Sequence, residues 1–296
     1  MKSIKRITIL CMAALLIGTS SCIKEVFPEG ESKIVSEDQI EDVGTLFRGL
    51  PGLMKKVRWF VSSHYDIGYP GLMIMRESMG ADMAQSTAYM QWGWWYAVAG
   101  INKDNLGAQF PWTIYYKINF QADQVIAAVP DPASAIDENR WGAGIAYFYK
   151  AFVYSEMAQL FQQGTYLNNP QGPTIPLVEH NTSLDKLRDN PRMPADQMYP
   201  KILEYLTLAE TYLSDYTPTG ISDISLNAVH GQMARVYLIT GQWPKAEEYA
   251  KKAQTGREAL TEAQWKDKQN GFNNPTSQKS WIWCLTYTSD DDAVKG

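Results

Sequence analysis

The chain has 296 residues, of which 45% are hydrophobic and 20% are charged. Its length allows one large or two ordinary domains, and its composition is that of a globular and not of a disordered protein. A net charge of −5 offers no basic excess that could neutralise phosphates, so nucleic acid is excluded as the expected partner.

The N-terminus has the layout of a secretory signal peptide. Basic residues precede an apolar run over 7–17, and small residues follow that run. The run is shorter than the about 20 residues that a transmembrane helix needs. We expect residues 1–21 to be removed, which takes away three basic residues and lowers the net charge from −5 to −8.

Cys22 follows the small residues directly, as in a bacterial lipoprotein signal. A thiol at a new N-terminus can carry a diacylglycerol, and two or more acyl chains anchor a protein stably. Thr19 stands where leucine is usual, whereas Ser20 and Ser21 fit the small-residue requirement. We therefore predict lipidation of Cys22. The predicted organisation is a signal peptide, a charged flexible tether and one helical domain (1–21, 22–44 and 45–296).

Helical periodicity dominates the rest of the chain. The predicted helices, in order, cover 112–129, 140–161 and 195–213, with a helical hairpin over 227–254. The second is apolar nearly all round, which is typical of a helix buried on several sides. Proline and glycine interrupt residues 164–193, which are expected to form a long loop.

The hairpin has the spacing of a tetratricopeptide-type repeat. Asn227 is the expected N-cap, Gly241 ends the first helix, and Pro244 suits the first turn of the second. Small residues allow the two helices to approach closely (Ala234, Ala246 and Ala253). The predicted fold class is mostly α, with stacked tetratricopeptide-like helical hairpins, long loops and minor β.

The minor β is expected near the end of the chain. Residues 281–288 alternate aromatic and β-branched side chains, which favours a strand. Trp281 and Trp283 would share one buried face of it. No second strand is visible that could pair with it.

Four segments together resemble SusD/RagB-type nutrient-binding outer-membrane lipoproteins of Bacteroidetes-like bacteria. They are WTIYYKINFQADQVI, YKAFVYSEMAQLF followed by IPLV, RMPADQMYPKILEYLTLA, and the hairpin, and they occur in the family's order. The departures fall at packing positions, for example Lys150 where the family has arginine. Family members usually continue well beyond this length, so the resemblance implies the N-terminal part of a longer protein.

The resemblance implies a function in nutrient uptake at the cell surface. The protein would be lipid-anchored in the outer membrane, would capture a nutrient, most often a glycan, and would deliver it to a TonB-dependent, SusC-like transporter. It would use no cofactor and perform no covalent chemistry. Whether the ligand is a glycan or a peptide stays open.

Flat aromatic faces with hydrogen-bonding groups nearby suit the apolar faces and polar edges of a sugar. Residues 90–105 offer such a set, and similar tryptophan-bearing loops contact glycan in the family. The expected ligand-binding residues are Trp92, Trp94, Trp95 and Tyr96, with Asp82 and Arg76 as polar candidates. The alternative is that two of these three tryptophans are core residues. Three other tryptophans lie within helical patterns and are expected in the core (Trp112, Trp141 and Trp243).

Motifs of catalysis and metal binding do not occur in the sequence. It has no H-E-x-x-H, no G-x-S-x-G, no phosphate-binding glycine loop and no C-x-x-C pair. His230 is expected to be a satisfied core or edge residue. Two carboxylates suffice for glycosidase chemistry, so an enzyme remains a weaker alternative. The main alternative is a tetratricopeptide-type envelope scaffold that binds peptides or protein partners.

Overall fold

The computed structural model describes residues 42–56, 68–80, 106–276 and 279–287. Nine helices lie in this part of the chain. They are α1 (Val43–Lys56), α2 (Gly68–Met79), α3 (Leu106–Ala128), α4 (Asp137–Phe161), α5 (Leu184–Arg188), α6 (Ala195–Tyr212), α7 (Leu226–Ile239), α8 (Trp243–Ala253) and α9 (Glu262–Lys266). The predicted mostly α fold class is confirmed.

The helix α4 lies at the centre of the core. Nearly every side chain over 142–158 is buried, and α4 packs along α1, α3 and α6. This confirms the prediction that a helix apolar nearly all round is covered on several sides. The loop predicted over 164–193 contains α5 but is otherwise irregular.

The hairpin of α7 and α8 forms as its sequence predicts. Gly241, between the two helices, has φ +74°, and Pro244 lies in the first turn of α8. The predicted N-cap is wrong, because Ser225 caps α7 and its hydroxyl accepts from the Ala228 amide at 3.2 Å. The amide of Asn227 instead donates to the carbonyl of Ala253 at 2.8 Å and so joins the start of α7 to the end of α8.

The strand predicted over 281–288 is wrong for its described part, 281–287. These residues belong to no strand, and the chain bends at Ile282. The β-type pairing found in the described ranges is an isolated antiparallel bridge between Pro173 and Pro194. The end segment is held by other contacts, among them a hydrogen bond from the amide of Cys284 to the carbonyl of Ile221 at 3.1 Å.

Among the described helices, none combines the length and the apolar character that crossing a membrane requires.

Candidate functional site

Most of the predicted site residues lie outside the described residues. This applies to the lipidation site and to five of the ligand candidates (Cys22, Asp82, Trp92, Trp94, Trp95 and Tyr96). Arg76, the remaining candidate, lies in the last turn of α2. Three residues separate it from Gly80, where the described part of the chain stops before the tryptophan-rich segment.

Arg76 takes part in an ion cluster around a buried carboxylate. The side chain of Glu156, in α4, is fully buried, and it accepts hydrogen bonds from Arg76 and, at 3.0 Å, from Arg235 of α7. Tyr69 donates to the same carboxylate at 3.4 Å. Two cations on one carboxylate leave a net positive charge, carried by an Arg235 side chain that is 47% exposed.

Electrostatics keep Tyr69 and Arg76 of this cluster protonated. Burial raises the pKa of Tyr69, and the negative charge of Glu156 raises it further, so the phenol stays a donor. Burial opposes the charge of Arg76, but Glu156 outweighs this effect and raises the pKa of the guanidinium. Arg76 therefore joins α2 to α4 and has only a quarter of its side chain exposed.

A second buried cation, Lys150, positions the loop that follows α4. Its ammonium lies 2.6 Å from a carboxylate oxygen of Asp123 and 2.8 Å from the carbonyl of Val178. The Tyr154 hydroxyl donates to the same carbonyl at 2.7 Å and accepts from the amide of Val178 at 2.9 Å. This departure from the family pattern is thus a core contact and not a ligand contact.

Glu179 continues this network towards the surface. It accepts from the Tyr205 hydroxyl at 2.8 Å and lies 3.4 Å from the ammonium of Lys201. Burial alone would raise the pKa of Glu179. The hydrogen bond from Tyr205 and the charges of Lys201 and Lys150 outweigh burial, so the pKa lies below its usual value.

A row of aromatic rings lies on the surface beyond the hairpin. The ring of Phe272 stands between two tryptophans, with its centroid 5.1 Å from that of Trp265 and 4.9 Å from that of Trp281. Trp265 is 60% exposed and Phe272 is 50% exposed. We call Trp265, Phe272 and Trp281 the aromatic row.

Local polar contacts hold the aromatic row in place. Trp265 lies in the short helix α9, which begins with a capping box between Thr261 and Gln264. The carboxylate of Asp267 then accepts from the amides of Gln269 and Asn270, which turns the chain towards Phe272. Arg257 holds the backbone at the third ring by donating to the carbonyl of Trp281 at 2.9 Å. The row is therefore a largely preformed surface with polar residues around it.

Sequence reasoning missed the aromatic row, although a signal was present. In TEAQWKDKQNGFNNP each aromatic residue stands alone among polar ones. Such a side chain has no apolar neighbours along the chain with which to form a buried face, and exposure is the natural outcome.

Two of the three tryptophans that were expected in the core are exposed. Trp112 is 38% exposed and Trp243 is 55% exposed, so the prediction is wrong for both. Trp112 lies beside Tyr116 and Phe161, at ring distances of 5.0 and 5.5 Å. Trp141 is partly buried and donates from its indole nitrogen to Asp215 at 3.0 Å.

The histidine prediction is confirmed. His230 is 9% exposed and lies 3.0 Å from a carboxylate oxygen of Glu210. Within the ranges that the structure describes, no group of three or more acidic, histidine or cysteine side chains could hold a metal ion.

A SusD-like family model, described as "Starch-binding associating with outer membrane", matches residues 59–238, which is more than half of the chain. No curated protein matches this chain in sequence.

Solved structures with the same fold come from Bacteroides species. A SusD-like carbohydrate-binding protein from Bacteroides vulgatus has a TM-score of 0.72 at 18% identity, and the match covers 86% of this chain and 52% of that one. A SusD superfamily protein from the same species has a TM-score of 0.61 at 21% identity, with 74% and 48% covered. Surface glycan-binding protein A from Bacteroides fluxus has a TM-score of 0.53 at 16% identity, with 78% and 48% covered. The chain thus spans about half the length of the structures it matches.

Proposed function

The chain belongs to the SusD-like family, and from this premise we propose that it binds a glycan at the outer-membrane surface and delivers it to a SusC-like, TonB-dependent transporter. The family description, starch binding in association with the outer membrane, supports the ligand class and the location. Two of the similar structures are of carbohydrate- or glycan-binding proteins. The proposed role is binding without covalent chemistry.

The observation that carries the proposal is the aromatic row. A sugar ring has apolar faces that stack on flat aromatic side chains and polar edges that hydrogen-bond to neighbouring groups. Trp265 and Phe272 present half or more of their surface to solvent, and their rings are in contact with their planes at 47°. Affinity would therefore come from a surface that needs little ordering on binding.

The tryptophan-rich segment forms the second part of the proposed site. Trp92, Trp94, Trp95 and Tyr96 would stack on further sugar units, with Asp82 hydrogen-bonding to their edges. Arg76, held by Glu156, would contribute the quarter of its side chain that is exposed.

The proposed site is tested by affinity electrophoresis of the full chain in gels that contain starch or other glycans. Replacing Trp265 and Phe272 together by alanine should weaken binding about tenfold or more, because it removes two aromatic faces on which a sugar stacks. A tenfold loss of affinity corresponds to about 1.4 kcal/mol. Trp243→Ala removes an exposed tryptophan elsewhere and is the matched control. Equal retention of the wild type, the double variant and Trp243→Ala would refute the role of the aromatic row.

The tryptophan-rich segment needs its own variant. The double substitution of Trp94 and Trp95 by alanine should also reduce retention in the gel. Unchanged binding would remove these two residues from the site, while the glycan-binding function would still be judged by the aromatic row.

The proposed anchor is a lipid on Cys22. Cells that express the full chain are labelled with a palmitate analogue and compared with Cys22→Ala. Labelling should disappear in the variant, and equal labelling would show that Cys22 is not the lipid site. Purification of the wild-type chain from outer membranes should recover a TonB-dependent barrel protein, and its absence would contradict delivery to a transporter.

A second candidate function is docking of a peptide or protein partner on the hairpin. Leu167, Leu238 and Trp243 are each more than half exposed, and Gly241 lies beside Leu167 and Trp243. Trp243→Ala should weaken capture of such a partner and leave glycan binding intact. Unchanged capture of the partner by Trp243→Ala would contradict this second function and favour the glycan function alone.

A further inference from the structure

The ion cluster around Glu156 holds more positive than negative charge. Arg76 pairs with one oxygen of the Glu156 carboxylate, and Arg235 pairs with the other. Among the described residues, no further carboxylate pairs with either arginine. The cluster therefore consists of two cations and one anion, and one positive charge is left without a counterion.

The other ion pairs in the described ranges are balanced differently. Arg140 lies between the carboxylates of Asp137 and Asp215, at 2.9 and 2.6 Å, and Arg48 pairs with Glu138 alone. No second carboxylate of the described residues pairs with two cations. The whole chain has a net charge of −5, so a local surplus of positive charge is an exception in this protein.

The tyrosines beside the cluster do not supply the missing negative charge. Tyr69 donates to the carboxylate of Glu156, and the buried Tyr115 lies close enough to Arg76 to act on its charge. Burial raises the pKa of both phenols, and the negative charge of Glu156 raises it further. Both tyrosines are therefore neutral, and the surplus charge remains.

Arg235 is the member of the cluster that an external anion can approach. Its side chain is 47% exposed, whereas that of Glu156 has no exposed surface. Two of the five N–H groups of Arg235 donate within the protein, to Glu156 at 3.0 Å and to Gln232 at 3.3 Å. The other three have no acceptor among the described residues. Arg235 thus combines unused donors with access from solvent.

The form of the guanidinium group selects the kind of anion. Its planar fork of N–H groups matches the paired oxygens of a carboxylate or of a tetrahedral oxyanion. Glu156 and Gln232 already hold this fork, so binding requires little further ordering of the side chain. Arg76 is held by the same carboxylate and adds its attraction to an oxyanion at Arg235.

We propose that Arg235, supported by Arg76, binds the oxyanion of an acidic sugar, which is either the carboxylate of a uronic acid or a sulfate ester. The bound oxyanion would bring two negative charges to the two positive ones. The choice of a sugar rests on the proposed glycan function, whereas the charge of the ligand rests on the ion cluster. Arg235 is then a specificity-determining residue that favours acidic over neutral glycans.

The test is a calorimetric titration of the full chain with hexagalacturonate, with its methyl ester and with a sulfated dextran oligosaccharide. The ester has the same sugar chain without its charges, so it is the matched neutral ligand. Hexagalacturonate or the sulfated chain should bind about tenfold more tightly than the ester, because hydrogen bonds to charged groups are stronger than neutral ones. Preference for hexagalacturonate identifies a carboxylate, and preference for the sulfated chain alone identifies a sulfate ester.

Arg235→Gln should abolish the preference for the acidic ligand, because it removes both the fork and the surplus charge while Arg76 stays paired with Glu156. Arg48→Gln is the matched control and should keep the preference, because Arg48 is also exposed but belongs to a one-to-one pair with Glu138. If Arg235→Gln fails to fold, the comparison of acid and ester in the wild type decides the question. Equal affinity of the wild type for all three ligands, or an unchanged preference in the folded variant, would overturn the proposal.

This proposal and the proposed function fail in different ways. Retention by starch gels together with equal affinity for hexagalacturonate and its ester would refute the selection of acidic sugars and leave the glycan function in place. Preference for the acid together with full retention of the Trp265 and Phe272 double variant would refute the aromatic row and leave the role of Arg235. Absence of binding to every glycan would refute both.

Discussion

Lys150 and Glu156 lie two turns apart in α4, and each is a buried charge with partners from other helices. Lys150 reaches Asp123 of α3, and Glu156 holds Arg76 of α2 and Arg235 of α7. Neither charge could remain ionised at such depth without these partners, because desolvation of an isolated ion is too costly. The two residues therefore specify which helices surround α4 more than they add to stability.

The Lys150–Asp123 pair gives a first prediction. Lys150→Met should lower the free energy of unfolding by about 3–5 kcal/mol, because it leaves the Asp123 carboxylate buried without its cation. Urea unfolding followed by circular dichroism measures the loss. The double variant Lys150→Met, Asp123→Leu should lose less than the single one, because it buries no unpaired charge. An equal or larger loss in the double variant would contradict this explanation.

Glu179 gives a prediction for pH dependence. Burial would raise its pKa, but Tyr205 and Lys201 together lower it below the usual 4.5. The folded protein thus holds the proton more weakly than the unfolded chain. The carboxylate contributes stability above about pH 4.5, and this contribution is lost as the pH falls through the lower pKa of the folded state.

The wild type should therefore lose stability faster than Glu179→Gln when the pH falls below 4.5. Urea unfolding at a series of pH values tests this. Replacement of the exposed Glu77 by glutamine is the control and should follow the wild type. Parallel curves for the wild type and Glu179→Gln would show that this carboxylate does not contribute to the acid sensitivity.

For single residues, the sequence predicts a packing role more readily than it predicts which residues surround that position. Lys150 was correctly placed among packing positions, but nothing in the sequence names Asp123 as its partner. Trp112 and Trp243 follow the helical periodicity of core residues and yet are exposed. Periodicity shows which side chains share a face of a helix, but whether another element covers that face depends on tertiary contacts.

At the scale of elements, helices could be predicted because their apolar period is repeated over many residues. The predicted 195–213 agrees with Ala195–Tyr212, and 140–161 agrees with Asp137–Phe161. Caps were harder, because Ser225 and Asn227 are both capable N-cap residues only two positions apart. The contact of Asn227 with Ala253, far along the chain, decides between them.

The turn of the hairpin gives the third prediction. Gly241→Ala should lower the free energy of unfolding by more than about 1 kcal/mol, because φ +74° disfavours a side chain and the added Cβ would lie 2.8 Å from Leu167. Gly256→Ala is a matched control with φ +72° and no heavy atom within 4 Å of the added Cβ. The difference between the two variants in urea unfolding measures the contact with Leu167, and equal losses would exclude it.

At the scale of the whole molecule, the family resemblance anticipated the fold, whereas the end segment and the aromatic row were missed. The alternation of aromatic and β-branched side chains in 281–287 predicts a strand, which does not form. It does not say what satisfies the backbone, and here loop 221–222 does so in place of a partner strand. The aromatic row was missed because its three rings come from separate short segments, which only the turns at α9 bring together.

The end segment, residues 281–287, contacts α4 and the loop at Ser222, which are far from it in the sequence. Trp283 packs edge-on against Phe148 and Phe152 of α4, at ring distances of 5.7 and 5.6 Å, and hydrogen-bonds to Ser222. Trp283→Ala should therefore lower the free energy of unfolding by about 3 kcal/mol, the low end of the range for large aromatic side chains in cores, because Trp283 is only partly buried.

Hydrogen exchange would locate the effect of Trp283→Ala as well as measure it. The amide of Cys284, which donates to Ile221, should exchange faster in the variant, because the segment that carries it loses its main packing contact. Trp243→Ala, at a tryptophan that is 55% exposed, should change stability by less than about 1 kcal/mol and leave this amide protected. If Trp283→Ala and Trp243→Ala gave the same exchange at Cys284, the end segment would be held by its backbone hydrogen bonds and not by the packing of Trp283 on α4.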